Sequence, residues 1–119
     1  MVALKKILAK LKENKLIISS NSIWSFPVVL VPKKNNDWRM CVDYRQLNNV
    51  TIKDSYELPL IDEIFMFIGK NAKVLSTIDL FSGYHQIPMH IDDQDKATFT
   101  TMFGNYKFCV TLPLHFNAK

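Results

Sequence analysis

Apolar residues at the beginning of the chain recur with the spacing of an α-helix. One face of that predicted helix carries Leu4, Ile7, Leu8 and Leu11. Lysines occupy half of the remaining positions, so residues 2–15 are expected to form an amphipathic helix that buries its leucines. The polar run "SSNS" does not continue this pattern and is expected to end the helix.

Farther along the chain, the pattern becomes that of β-strands. Pro27 opens the β-branched run "PVVLV", the polar loop "PKKNND" follows, and "WRMCVDY" is a second strand-like run. These segments predict an antiparallel hairpin over residues 26–44 with a basic loop. Strand alternation puts Arg39, Cys41 and Asp43 on one face of the second strand. The other face carries Trp38, Met40, Val42 and Tyr44.

The rest of the chain interleaves predicted helices and strands. "RQLNNVTIKDSYELP" is expected to be a connection with one helical turn. "LIDEIFMFI", between Pro59 and Gly69, predicts a short helix, and "KVLSTIDL" predicts a strand. "IDDQDKA" predicts another helical turn, and "TFTTMF" and "YKFCV" predict a hairpin around Gly104-Asn105. This mixture indicates an α+β fold. The residues expected in its core include Trp38, Tyr44 and Leu47.

Composition and charge narrow the class of protein. The chain has 119 residues, 48% of them hydrophobic, with eight Phe, four Tyr and two Trp, which predicts a folded domain or part of one. The net charge of +4 permits a polyanionic partner, and five lysines oppose one glutamate in residues 1–15. Such lysines usually form a solvated helix face, with a phosphate-facing role as the alternative.

The cysteines and the hydropathy pattern bear on the compartment. Cys41 and Cys109 are far apart and outside any C-x-x-C pair, which argues against a zinc site. No apolar run approaches the length of about 18 residues that a membrane span requires. We therefore expect an intracellular protein with reduced thiols and no membrane-spanning segment.

Three features of the sequence suit nucleotide chemistry. Asp79 ends a strand-like run, and Tyr84 follows it. The basic hairpin contains Lys33, Lys34 and Arg39. Carboxylates hold Mg²⁺, cationic side chains bind triphosphates, and an aromatic ring can sense a 2′-hydroxyl. From the residues alone, Asp79 is a turn cap, the partner of a base or a metal ligand. Basic hairpins are more often simply solvated.

Two longer segments are specific to one family. "SFPVVLVPKKNNDWRMCVDYRQLN" and "STIDLFSGYHQI" closely resemble the reverse transcriptase of gypsy-type LTR retrotransposons, which is part of a Pol polyprotein. The resemblance extends from about Leu16 to Val110 and implies an RNA-directed DNA polymerase of right-hand architecture. The implied fold is α+β, made of the fingers and a partial palm. Within a partial domain spanning 1–119, the implied layout is the N-terminal helix at about 1–15, mainly fingers at 16–70, and the start of the palm with further strands at 71–119.

The resemblance assigns a metal-binding role to the end of the strand-like run. Asp79 resembles the first catalytic aspartate of the palm, and the backbone carbonyl of Leu80 resembles a ligand of the same metal ion. The implied cofactor is Mg²⁺, as a pair of ions in the intact parent protein, with Mn²⁺ as an alternative. Oxygen donors of this kind suit hard divalent cations.

The resemblance also assigns contacts with the nucleotide and with nucleic acid. Arg39 resembles the fingers arginine that binds the incoming triphosphate, and Lys33 resembles the fingers lysine on its γ-phosphate. Lys34 is an alternative to Lys33 or a nucleic-acid contact. Tyr84 resembles the residue that excludes ribonucleotides, and Arg45 is either on the template side or structural. The implied partners are deoxynucleoside triphosphates and an RNA or DNA template with its primer, in an oligomeric state that is left open.

Two departures from the family limit the implied activity. The family's second metal-binding motif, an aromatic residue followed by paired aspartates, is absent from these residues. Asp92, Asp93 and Asp95 are expected to be helix caps or solvated acids instead. In the final string "TLPLHFNAK" the family's glycine is missing, and Lys119 stands where proline is expected. We expect a truncated or decayed fragment without activity of its own. The alternatives are a non-catalytic nucleic-acid-binding module and a relic that folds poorly.

Overall fold

The computed structural model describes residues 1–53, 55–69 and 72–112. The chain divides into two compact units, a larger one made of Met1–Thr51 with the chain from Ser82 onward, and a smaller one, Ile52–Phe81. Most of the divergent string "TLPLHFNAK", residues 113–119, lies outside the described residues.

A five-stranded sheet forms the framework of the larger unit. Its strands are β1 (Ile17–Ser19), β2 (Phe26–Pro32), β3 (Trp38–Val42), β4 (Thr98–Thr101) and β5 (Gly104–Phe108). Their order in the sheet is β1-β5-β4-β2-β3, and all neighbours are antiparallel except β2 and β4, which are parallel. The helices of the chain are α1 (Val2–Glu13), α2 (Arg45–Val50), α3 (Ile61–Ile68) and α4 (Ile91–Gln94), with 3₁₀ turns at Gly83–Gln86 and Asp95–Ala97.

Helix α1 confirms the prediction made from its apolar spacing. Leu4 and Leu8 are buried at 9% and 4% exposure, whereas the lysines of the helix point to solvent. The helix ends at Glu13 and is capped by Asn14, whose side-chain amide donates a hydrogen bond of 2.9 Å to the carbonyl of Lys10. Strand β1 follows directly and was not predicted. Its three residues are too short to give an alternating pattern, and it depends on pairing with β5.

The core of the larger unit is aromatic. Phe99 is fully buried, and its ring centroid lies 5.1 Å from that of Phe108 and 6.0 Å from that of Tyr106. Tyr44 and Leu47 are buried, as predicted. The prediction for Trp38 is wrong, because its side chain is 43% exposed. Trp38 is the first residue of an edge strand, so no neighbouring strand covers it on the open side.

Both predicted hairpins are present, one with a shifted turn. β2 and β3 pair from Val28 opposite Val42 to Pro32 opposite Trp38, which confirms the hairpin over residues 26–44. In the β4–β5 hairpin, Thr101 pairs with Gly104, so the turn is not at Gly104-Asn105 but at residues 102–103. Gly104 has φ +119°, a conformation that favours glycine and lets the chain re-enter the sheet directly after the turn.

In the smaller unit, the predicted helix is confirmed and the predicted strand is wrong. α3 begins after Leu60, whose backbone N–H donates to the carboxylate of Glu63 at 3.2 Å, and it ends at Gly69 with φ +63°. The residues of "KVLSTIDL", 73–80, are exposed and form neither helix nor strand. A strand exists only when its backbone pairs with another strand, and the described residues provide no partner for this segment.

The helices also bear on the question of a membrane. Within the three described ranges, none of them is long and apolar enough to cross a lipid bilayer.

Candidate nucleotide and nucleic-acid site

The loop between β2 and β3 is a tight turn that exposes two lysines. The backbone N–H of Lys33 donates to the carbonyl of Asp37 at 2.7 Å, and the N–H of Asn36 donates to the carbonyl of Lys33 at 3.2 Å. Asn36 has φ +58°, a left-handed conformation that asparagine tolerates better than most residues. The loop therefore holds Lys33 and Lys34 at its tip through backbone geometry, which leaves both ammonium groups in solvent.

Arg39 adds a third cation to this hairpin. It pairs with Val31 in the sheet and alternates along β3 with Met40, which packs against the core. Its side chain is exposed, and across the described residues neither it nor the two loop lysines forms an ion pair. Three uncompensated positive charges on one hairpin can bind a polyphosphate, since a planar guanidinium contacts phosphate bidentately and an ammonium acts as a point charge.

Asp43 and Arg45 form an internal pair directly after β3. The Arg45 guanidinium donates to both carboxylate oxygens, at 2.8 Å from Nε and 2.6 Å from Nη2, and the Arg45 backbone N–H donates to Oδ1 at 3.2 Å. These hydrogen bonds lower the pKa of Asp43 from 3.8 to about 2. The pair stabilises the start of α2 and favours a structural role for Arg45, whose side chain is nevertheless 74% exposed.

Tyr44, between these two residues, joins the hairpin to the other half of the larger unit. Its hydroxyl donates to the carbonyl of Ala97 at 2.7 Å, and its ring lies edge-on to Phe26 with centroids 5.1 Å apart. Burial raises the pKa of the Tyr44 phenol above its usual value of 10.0. The "VDYR" segment therefore fixes the base of the hairpin that carries the cations.

Tyr84 lies on an exposed turn of the same unit. The 3₁₀ turn Gly83–Gln86 follows Ser82, which has φ +49°, and the Tyr84 side chain is 59% exposed. The backbone just after the turn is held by the carbonyl of Ile87, which accepts from the N–H of Thr111 at 2.7 Å. The ring is free to contact a ligand without any change in the core.

Asp79 and Leu80 belong to the smaller unit. Both are exposed, and the Asp79 carboxylate has no hydrogen bond or ion pair within the described part of the chain. A carboxylate and a carbonyl are oxygen donors of the type that Mg²⁺ prefers, but they are too few for its octahedral coordination. No group of three His, Cys, Asp or Glu side chains in the described ranges could complete such a site. These residues alone therefore do not make a metal centre.

The acids after His90 are exposed to solvent, as predicted, and each also lies beside a basic side chain, which was not predicted. Asp93 accepts from the Lys96 ammonium at 2.7 Å, which lowers the Asp93 pKa, and Asp95 accepts from Lys107 at 2.6 Å. Asp92 lies 3.5 Å from the His90 imidazole. Their carboxylates are divided among three different partners rather than directed at one point, so they do not replace a metal-binding pair of aspartates.

Comparison with known proteins decides the family. The family described as "Reverse transcriptase (RNA-dependent DNA polymerase)" matches residues 31–113, which is more than half of the chain. The chain belongs to the reverse transcriptase family. The matched range contains the hairpin cations, the "VDYR" segment, Asp79 and Tyr84, so the candidate site lies within the span that matches the family.

The relatives confirm the gypsy-type resemblance. The chain is 41% identical over 105 residues to the retrovirus-related Pol polyprotein from transposon 412 of Drosophila melanogaster, covering 83% of this chain and 8% of that protein. It is 39% identical over 106 residues to the Pol polyprotein from transposon gypsy of the same species, covering 84% of this chain and 10% of that protein. The chain thus spans about a tenth of the length of these relatives.

A solved structure confirms the α+β polymerase fold. The foamy viral protease-reverse transcriptase in complex with dsDNA superposes with a TM-score of 0.74 at 20% sequence identity, covering 93% of this chain and 23% of that chain. At this identity the match establishes the fold of the reverse transcriptase fragment.

Proposed function

We propose that this chain contributes the nucleotide-binding fingers and the beginning of the palm to an RNA-directed DNA polymerase encoded in a retrotransposon Pol polyprotein. In this proposal, residues 16–70 are mainly fingers, and residues 71–119 begin the palm and add further strands. The observation that carries the proposal is the β2–β3 hairpin, which presents three exposed cations within the span of the family match, none of them in an ion pair with a described residue.

The hairpin cations bind the triphosphate of the incoming nucleotide. Arg39 contacts it with its planar guanidinium, and Lys33 contacts the γ-phosphate from the loop tip, with Lys34 beside it for the nucleic-acid backbone. Tyr84 lies against the sugar and disfavours a 2′-hydroxyl. The exposed positions of these four side chains support this assignment, because each reaches a ligand without unpacking the core.

Asp79 would supply one carboxylate to Mg²⁺, and the backbone carbonyl of Leu80 would be a further oxygen donor. When bound, Mg²⁺, or Mn²⁺ with the same preference for oxygen, would supply positive charge for phosphate chemistry. The remaining ligands come from outside these two residues. The Asp79 carboxylate has no ion pair with any cation among the described residues, which supports this role.

The macromolecular partner is an RNA or DNA template with its primer. The foamy viral relative of this fold was solved with dsDNA. The net charge of +4 on this chain favours the approach of a polyanion. Arg45 faces the template only with the guanidinium edge that its pair with Asp43 leaves open.

Nucleotide binding by hairpin variants tests this proposal. We expect the 119-residue chain to bind a deoxynucleoside triphosphate more tightly than the corresponding nucleoside, and Arg39→Gln and Lys33→Gln to weaken triphosphate binding by about tenfold each. Lys53→Gln, which removes an exposed lysine from the smaller unit, is the matched control and leaves binding unchanged. Equal losses in all three variants would show a net-charge effect and contradict a specific site.

A further inference from the structure

We propose that the outer face of α1 is a second contact surface for nucleic acid, formed by Lys5, Lys6 and Lys10 and separate from the hairpin cations. The ligand chemistry is the phosphate backbone of a duplex. The inference rests on the proposed function only in identifying that duplex as the template with its primer.

Helix α1 is fixed to the larger unit, so its lysines are presented by a rigid element. Leu4 and Leu8 are buried in the core cluster, and the helix packs against β1 and β3. Lys12 is already engaged, because its ammonium lies 4.5 Å from the centroid of the Tyr106 ring. The ammonium groups of Lys5, Lys6 and Lys10 are exposed and have no ion pair in the described ranges.

The arrangement of these lysines does not stabilise α1. Lys6 and Lys10 are four residues apart, so their like charges lie on adjacent turns and repel each other. The first turn contains no acidic residue to complement the helix dipole, and Glu13 is the sole acid of α1. A phosphate backbone would offset this repulsion, whereas a purely structural surface helix is better served by alternating charges.

The apolar face of α1 distinguishes nucleic acid from a lipid surface. An interfacial helix inserts an exposed apolar face into the membrane while its lysines contact the headgroups. In α1 that face is occupied, because Leu4 is 9% and Leu8 4% exposed. The lysines are therefore available to phosphates, but the leucines are not available to acyl chains. This favours nucleic acid as the polyanion.

The salt dependence of binding tests the surface. A labelled RNA–DNA hybrid duplex is titrated with the 119-residue chain at several salt concentrations, because each phosphate contact contributes about 0.9 to the slope of log K against log salt concentration. The Lys6→Gln/Lys10→Gln variant is compared with Lys6→Arg/Lys10→Arg, which keeps the charge. The matched control is Lys53→Gln/Lys73→Gln, which removes the same charge from exposed positions in the smaller unit.

We expect Lys6→Gln/Lys10→Gln to reduce the slope by about 2 and the affinity at low salt by about tenfold or more, without a lower melting temperature. The arginine variant and the control keep the parent slope. An unchanged slope, or an equal loss in the control, would overturn the proposal. Equally tight binding to anionic phospholipid vesicles that the same glutamine variant abolishes would also overturn it.

Two separate measurements, triphosphate binding by the hairpin variants and duplex binding by the α1 variant, distinguish a failure of this inference from a failure of the proposed function. If the hairpin variants keep full triphosphate binding while the α1 variant loses duplex binding, the nucleotide site is refuted and the α1 surface stands. The reverse result refutes the α1 surface alone.

Discussion

The Tyr44 hydroxyl is predicted to hold the hairpin base in place. Tyr44→Phe removes one oxygen and keeps the ring that packs edge-on against Phe26. The lost bond is the 2.7 Å contact with the carbonyl of Ala97, a residue that is 2% exposed, so water cannot replace the donor. A buried acceptor left without its donor costs about 1–3 kcal/mol. We expect a loss of about 2 kcal/mol out of a total stability of about 5–15 kcal/mol.

Thermal unfolding of the two chains measures this effect. A loss of about 2 kcal/mol lowers the melting temperature by about 8 °C for a domain of this size. Tyr84→Phe is the matched control, since its hydroxyl is exposed and has no partner within the described residues. That variant should melt within about 2 °C of the parent. A Tyr44→Phe variant as stable as the control would refute the role given to the hydroxyl.

The pH dependence of the stability of the parent chain and of Tyr44→Phe gives an independent check. Burial raises the pKa of Tyr44 above 10.0, so the folded state keeps the phenol neutral at a pH where the unfolded state ionises. The stabilising effect of the hydroxyl is fully present below pH 10.0 and is lost as the pH rises above it, by about 1.4 kcal/mol per unit. We expect the stability gap of about 2 kcal/mol between the parent and Tyr44→Phe to close at about pH 11.5.

Three further predictions follow from the site. The Asp43→Asn variant should be less stable than the parent above pH 3.8, where the Asp43 carboxylate is ionised in both the folded and the unfolded state. Protonation of Asp43 removes this stabilisation, so the acid unfolding curves of the variant and the parent should converge as the pH falls to about 2. Parallel curves would contradict this prediction. Tyr84→Ala should narrow the difference in affinity between deoxyribo- and ribonucleoside triphosphates in competition binding, and an unchanged ratio would remove Tyr84 from the sugar site. Primer extension by the 119-residue chain on an RNA template should not exceed primer extension by its Asp79→Ala variant, because one carboxylate cannot hold a pair of metal ions. Extension by the parent chain above this control would refute the expectation.

The elements that could be predicted from the sequence are those with local causes. Helix α1 follows from the spacing of its apolar residues, and the end of α3 follows from Gly69. Both features depend on residues that are close in sequence, and both are observed. The hairpin over residues 26–44 follows from alternation and a polar loop. β1 could not be predicted in this way, because it depends on a pairing with distant β5. The prediction of a strand at 73–80 was wrong for a related reason. A segment with high β propensity forms no strand when no other strand pairs with it.

For the candidate site, short motifs identified the residues but not their contacts. The pair between Asp43 and Arg45 is close in sequence, yet only the geometry reveals that the guanidinium binds both carboxylate oxygens. The bond from Tyr44 to Ala97 spans 53 residues, and no periodicity indicates it. The assignments of Asp79, Lys33, Arg39 and Tyr84 rest on family resemblance and remain predictions.

The most direct test of the central claim is the Mg²⁺ dependence of deoxynucleoside triphosphate binding in the purified chain. The parent chain is compared with Asp79→Ala and with Asp92→Ala, which removes another exposed acid and serves as the control. The account predicts that Mg²⁺ tightens binding in the parent and in Asp92→Ala but not in Asp79→Ala. Tightening that survives in Asp79→Ala, or that disappears equally in Asp92→Ala, would contradict the assignment of Asp79 as the metal-binding residue.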